Sequence, residues 1–168
     1  MKIDNEIKLD FNDVLIRPKR SELSSRNEVN MEREFKFKYS SYKWNGIPII
    51  CSNMDTIGTV DMYKSLSKNQ IITCFHKRID VNDIISNKCN SDFFMLSTGI
   101  TDNDYKNLEK NINKLNEKNI EITFICIDVA NGYMAKLINF CKRVRADFPN
   151  KIIIAGNVVT RELVEELI

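Results

Sequence analysis

Three apolar runs in this chain each end on polar side chains able to do chemistry. Cys74-Phe-His-Lys-Arg78 ends one run in His76 and Lys77, Ile122–Ile127 leads into Asp128-Val-Ala-Asn-Gly-Tyr133, and Lys151–Ile154 leads into Ala155-Gly-Asn157. Upstream, Ile47–Cys51 is followed by Asn53-Met-Asp-Thr56, an amide, a carboxylate and a hydroxyl within four residues. A lysine partly withdrawn from water gives up its proton more readily, which suits Lys77 to proton transfer or anion binding. Asp128, at the end of a buried run, would need a donor partner, and Asn157 offers both a donor and an acceptor. His76 has the chemistry of a general base.

Each of these residues also has a plainer reading. Lys77 could be a solvated loop lysine, His76 a hydrogen-bonded structural residue, Asp128 half of a salt bridge and Asn157 a turn cap. Met54 could simply pack, or lie against a ring. The cations Arg17, Lys19, Arg20 and Arg26 could form a solvated face, or meet a phosphate-bearing cofactor.

The elements that must position these groups follow from hydrophobic periodicity. Ile47–Cys51, Ile71–Phe75, Phe93–Leu96, Ile122–Ile127 and Ile152–Ile154 have strand length and continuous apolar character, as in parallel strands covered on both faces. Helical segments separate them. One runs over Met62–Ser67 with Val60 and Leu66 as apolar contacts. A second is capped by Asp102, with Tyr105, Leu108, Ile112 and Leu115 at spacings of three and four. A third carries Leu137, Ile138, Phe140, Cys141 and Val144 and ends before Pro149. Thr160 reads as the N-cap of a last helix, with Glu162 in its first turn. Residues 1–45 read as an irregular polar segment packing on the domain that follows, and residues 46–168 as that domain.

Strand–helix alternation with polar groups at strand ends predicts an α/β fold of the (β/α)8 TIM-barrel type, with about the first five β/α units present. A Gly-x-Gly-x-x-Gly run is absent, which argues against an open nucleotide-binding sheet. Eight units typically need ~250 residues, so a chain of 168 residues is expected to be the first part of a longer barrel.

Composition narrows the class further. The formal charge of +2 gives no bias toward nucleic acid, and no apolar stretch is long enough to span a membrane. The five cysteines are odd in number and lack CxxC spacing, so they read as free thiols of a cytoplasmic protein; with a single histidine, no protein-built metal site is expected.

Taken in order, Leu9-Asp-Phe-Asn-Asp-Val-Leu-Ile-Arg-Pro-Lys-Arg-Ser21, Asn53-Met-Asp-Thr-Ile-Gly-Thr59, His76-Lys77, Ser97-Thr-Gly99, Cys126-Ile-Asp-Val-Ala-Asn-Gly-Tyr133 and Ala155-Gly-Asn-Val-Val-Thr160 resemble the GMP reductases of the IMP dehydrogenase/GMP reductase family. Asn-Met-Asp-Thr in place of Pro-Met-Asp-Thr, His-Lys in place of His-Arg-Asn, and the short stretch from Arg78 to Asp92 set the chain nearer the reductases than IMP dehydrogenase, the alternative on the same scaffold. The resemblance implies NADPH-dependent reductive deamination of GMP to IMP and ammonia, through a cysteine thiolate that attacks the purine. In the family that cysteine follows the sixth strand, so this chain is expected to lack it and, alone, to be an inactive nucleotide-binding fragment.

By the same resemblance, Lys77 and Asp128 are the catalytic residues, acting as a coupled pair. Ser25, Arg26, Lys77, Asp128, Val129 and Ala130 contact NADPH, with Ser25 and Arg26 reaching cofactor held by a neighbouring subunit. Asn53, Met54, Asp55 and Asn157 face the GMP or IMP. A homotetramer is implied, and any monovalent cation such as K+ would bind in the missing part.

Overall fold

The computed structural model describes residue 3 and residues 5–168. It divides into two compact units, one ending at Asn30 and the other spanning Met31–Ile168. The first unit carries two short 3-10 turns, Phe11–Asp13 and Arg26–Glu28. The boundary expected at residue 45 therefore moves to residue 30. Residues 31–45 are not irregular either: β1 (Arg33–Lys36) and β2 (Lys43–Gly46) pair antiparallel, with Phe35 opposite Trp44. The hairpin was hidden because lysines, a glutamate and an arginine interrupt its apolar alternation.

The second unit is built on five parallel strands: β3 (Ile50–Cys51), β4 (Ile72–Phe75), β5 (Phe94–Thr98), β6 (Phe124–Asp128) and β7 (Ile152–Gly156). They lie in strict sequence order, each hydrogen-bonded in parallel register to the next. An open doubly wound sheet reverses its order at a switch point; a (β/α) barrel does not. The five strands are the expected half of such a barrel. The first is shorter than predicted, because Ile47 and Ile49 are bonded to Gln70 and Ile72 outside regular ladder pairing.

Helices α1 (Val60–Leu66), α2 (Val81–Ser86), α3 (Asp102–Asn116), α4 (Ala135–Asp147) and α5 (Arg161–Leu167) connect and follow the strands. The short α2 lies in the stretch predicted only as a connection. Thr101, not Asp102, caps α3: its hydroxyl accepts from Asp104 N, and the Asp104 carboxylate accepts from Thr101 N in return. Thr160 occupies the N-cap position of α5 without a capping bond, its hydroxyl instead accepting from Tyr133.

Alternation along each strand divides the core into two layers. Phe75, Phe94, Leu96, Ile125 and Ile127 point outward and pack against Tyr63, Ile84, Leu108, Leu115, Leu137 and Val144 of the helices. Ile72, Cys74, Met95, Phe124 and Ile152 point inward, where Trp44 of the hairpin covers them at the amino-terminal end. Trp44 Nε1 donates to Asp92 O at 2.8 Å, which satisfies the one polar atom of that buried ring. The helices thus cover the outer face and the hairpin covers the amino-terminal part of the inner face, while Asn53, Lys77 and Asp128 follow at the carboxyl ends.

Candidate functional site

The carboxyl ends of β3, β4 and β6 deliver Asn53, Lys77 and Asp128 to one polar cavity of about 160 Å³, completed by Asp55, Arg78, Ser97 and Thr98. A second cavity of about 380 Å³ adjoins it through shared residues. Asn53 and Asp128 line both, and Asn157, Gly156, Cys126 and Cys74 line only the second. Lys77 and Asn157 thus line separate cavities that Asn53 and Asp128 join.

Lys77 and Asp128, expected to act as a coupled pair, line the same cavity but each has another partner. Lys77 Nζ instead lies 3.6 Å from Asp104 Oδ1, and Asp128 Oδ2 accepts from Asn53 Nδ2 at 2.8 Å. The strand end orients Asp128 toward the β3–α1 loop, whereas Lys77, one residue beyond His76, leans over the start of α3. Lys77 is half-exposed and Asp128 exposed, so the desolvation predicted for both is not found.

Asp104 was missed by sequence reasoning. Burial pushes its carboxyl upward, but hydrogen bonds from the Thr101 hydroxyl and backbone, with the Lys77 charge, outweigh it and hold Asp104 below the usual range. The available signal was Thr101-x-x-Asp104, a capping-box spacing placed directly after the Ser97-Thr-Gly99 strand end.

The remaining predicted residues divide by role. Asp55 Oδ2 accepts from Arg78 Nη1 at 3.0 Å, and Asp55 Oδ1 lies 3.9 Å from His76 Nδ1. His76 is mostly covered and its Nδ1 is buried without a hydrogen-bond partner, while its backbone N–H donates to Gly58 O. Met54 is exposed, and its carbonyl accepts from Ile57 N and Gly58 N to close the loop. Val129 uses both backbone groups to hold the next strand end: its N–H donates to Gly156 O and its carbonyl accepts from Asn157 N, each at 2.8 Å. Ala130 is exposed beside it. In the first unit, Ser25 Oγ accepts from Asn27 N as the cap of a 3-10 turn, and Arg26 is exposed.

On the inner face, the Cys74 and Cys126 thiols face one another. The interaction between the two thiols pulls Cys126 down and, with burial, pushes Cys74 far up. All five cysteines are free, and among the described residues no cluster of three or more metal-ligating side chains occurs. Also among the described residues, no helix is long and apolar enough to cross a membrane.

This arrangement can bind a polar planar group. An amide, a carboxylate and an ammonium border one small cavity, and backbone already committed to hydrogen bonds holds the loops that carry them.

Comparison with known proteins agrees with this arrangement. The chain is 46% identical over 173 residues to the GMP reductase of Vibrio parahaemolyticus, covering 100% of this chain and 49% of that protein. It is 52% identical over 169 residues to the GMP reductase of Buchnera aphidicola subsp. Acyrthosiphon pisum, covering 100% of this chain and 48% of that protein. The chain thus spans about half the length of these relatives. In fold it resembles the crystal structure of inosine 5′ monophosphate dehydrogenase from Legionella pneumophila, with a TM-score of 0.68 at 24% identity over 94% of this chain and 46% of that one. The model of the IMP dehydrogenase / GMP reductase domain matches residues 8–168. With the sequential parallel half-barrel and its polar strand ends, that match makes the chain a member of the IMP dehydrogenase / GMP reductase family.

Proposed function

We propose that this chain supplies the cofactor-facing half of a GMP reductase, which converts GMP and NADPH to IMP, ammonia and NADP+. The observation that carries the reading is the polar cavity shared by Asn53, Lys77 and Asp128 at three strand ends of a barrel whose relatives are GMP reductases. The donor set fits the group. An amide, a carboxylate and an ammonium match the carboxamide of a nicotinamide and the amine of a guanine in charge and hydrogen-bonding capacity.

Bound NADPH would supply a hydride. This chain's own residues bind and orient. Asp128, held by Asn53, accepts hydrogen bonds at the cavity edge, and Val129 and Ala130 border the same strand end. Lys77 carries a proton on Nζ that can be passed toward a departing amine. Asn53, Met54, Asp55 and Asn157 face the purine. Ser25 and Arg26 reach cofactor bound by a second copy in a homotetramer of a cytoplasmic enzyme. The attacking cysteine, and any K+ site, belong to the part of the relatives that this chain does not match.

The test is to mix the chain with the unmatched half of Vibrio parahaemolyticus GMP reductase and follow absorbance of the reduced cofactor. Loss of NADPH with GMP, accompanied by ammonia, is the expected result. Reduction of NAD+ with IMP instead would replace this reading by IMP dehydrogenase. Nucleotide binding without turnover in the mixture would leave only a binding fragment.

A further inference from the structure

Lys77 lines one cavity with the Asp128 carboxylate, but its ammonium contacts a different carboxylate, Asp104 of α3. Asp128 is held by Asn53. Asp104 is fixed more tightly. Its Oδ2 accepts from Thr101 N at 3.0 Å and from Thr101 Oγ1 at 2.6 Å, which leaves Oδ1 facing Lys77 Nζ at 3.6 Å. Gly99 lies directly beneath: a Cβ built there would stand 2.5 Å from Asp104 Oδ2, so the carboxylate occupies space that any other residue at 99 would claim. The remaining charges nearby are already matched, because Arg78 is paired with Asp55 at 3.0 Å.

We propose that Asp104 is a positioning residue for Lys77: its cap-anchored carboxylate holds the ammonium at the α3 side of the cavity, and Lys77 reaches Asp128 only by exchanging one carboxylate for the other. The inference rests on the proposed role of Lys77 for its significance, although the pairing itself does not depend on any reaction. A half-exposed ion pair is weak. Weakness is what the exchange requires, since a buried pair would lock the lysine away from a substrate. The helix cap thus does double duty: Thr101 holds α3 and also aims the carboxylate.

The test uses the full chain and needs no turnover. Acetylation of Lys77 by an N-hydroxysuccinimide ester at pH 7 is followed by peptide mass spectrometry and normalised to exposed Lys110 of α3. Asp104→Asn keeps an oxygen for the Thr101 cap and removes the charge, so Lys77 labelling should rise roughly two- to five-fold, the range an exposed pair sets. Asp104→Glu should restore slow labelling. Asp128→Asn should leave it unchanged.

If Asp104→Asn fails to fold, Gly99→Ala displaces the same carboxylate without removing it, and should also speed Lys77 labelling. Equal labelling of wild type and the position-104 or position-99 variants overturns the proposal, as does an increase of the same size in Asp128→Asn. Failure of the GMP and NADPH assay would sink the functional reading and leave this pairing standing; unchanged labelling would do the reverse.

Discussion

Asn53 Nδ2 donates to Asp128 Oδ2 at 2.8 Å, joining the loop after β3 to the end of β6 across two intervening strands. The bond ties the loop carrying Asn53, Met54 and Asp55 to the far side of the mouth. Asn53→Ala should cost about 1 kcal/mol of stability, because water can serve the exposed carboxylate in its place. Asn53→Asp should cost more at pH 7, where two carboxylates meet. Urea unfolding at pH 7 and pH 3 checks this. The two variants should converge at low pH, where protonation removes the repulsion.

Gly58 and Gly132 both sit where backbone crosses backbone. A Cβ at Gly58 would lie 2.3 Å from Cys74 O, and one at Gly132 would lie 2.1 Å from Asn157 O. Neither neighbour is a side chain that can rotate away. Either glycine replaced by alanine should lose roughly 1–3 kcal/mol, the range of overpacking, and Gly132→Ala should also move the Asn157 strand end. Thermal unfolding reads the first effect, and the NMR shift of the Asn157 backbone amide reads the second.

Asp104 predicts a pH dependence. Its folded carboxyl ionises more readily than in the unfolded chain, so its ionised form stabilises the fold. That contribution is complete above the ordinary aspartate value of about 4 and is lost as pH falls through the lower folded value. Asp104→Asn should therefore be less stable than wild type by a constant margin from pH 5 to 8. The margin should narrow as pH falls below about 4. Chemical denaturation across that range measures it, and a margin that does not narrow at all on acidification would contradict the ionic origin.

Tyr105 ties α3 to α4 through a short hydrogen bond to Asp147, with Arg143 stacked 3.6 Å above its ring. Burial and the Asp147 carboxylate push its hydroxyl up to about 12. Tyr105→Phe keeps the ring packing against Phe140 and the stacked guanidinium. It should lose about 1–2 kcal/mol, from the charge-assisted bond alone. Tyr105→Ala should lose at least twice as much. Equal losses would assign the stability to the hydrogen bond and not to the ring.

The sequence alone determined the five segments of the parallel sheet and their order, and that Asn53, Lys77, Asp128 and Asn157 stand at strand ends. Those features follow from local apolar runs and from the alternation of strand and helix. Whether two carboxylates compete for one lysine is a matter of angstroms between segments far apart in the chain, and no local pattern carries that distance. Tertiary structure therefore decided that Lys77 pairs with Asp104, that Asp128 turns to Asn53, and that Asp128 stays exposed. It also decided that the charged hairpin at residues 33–46 joins the barrel unit, because Trp44 finds its core only once the inner faces of β4, β5 and β6 stand beside it.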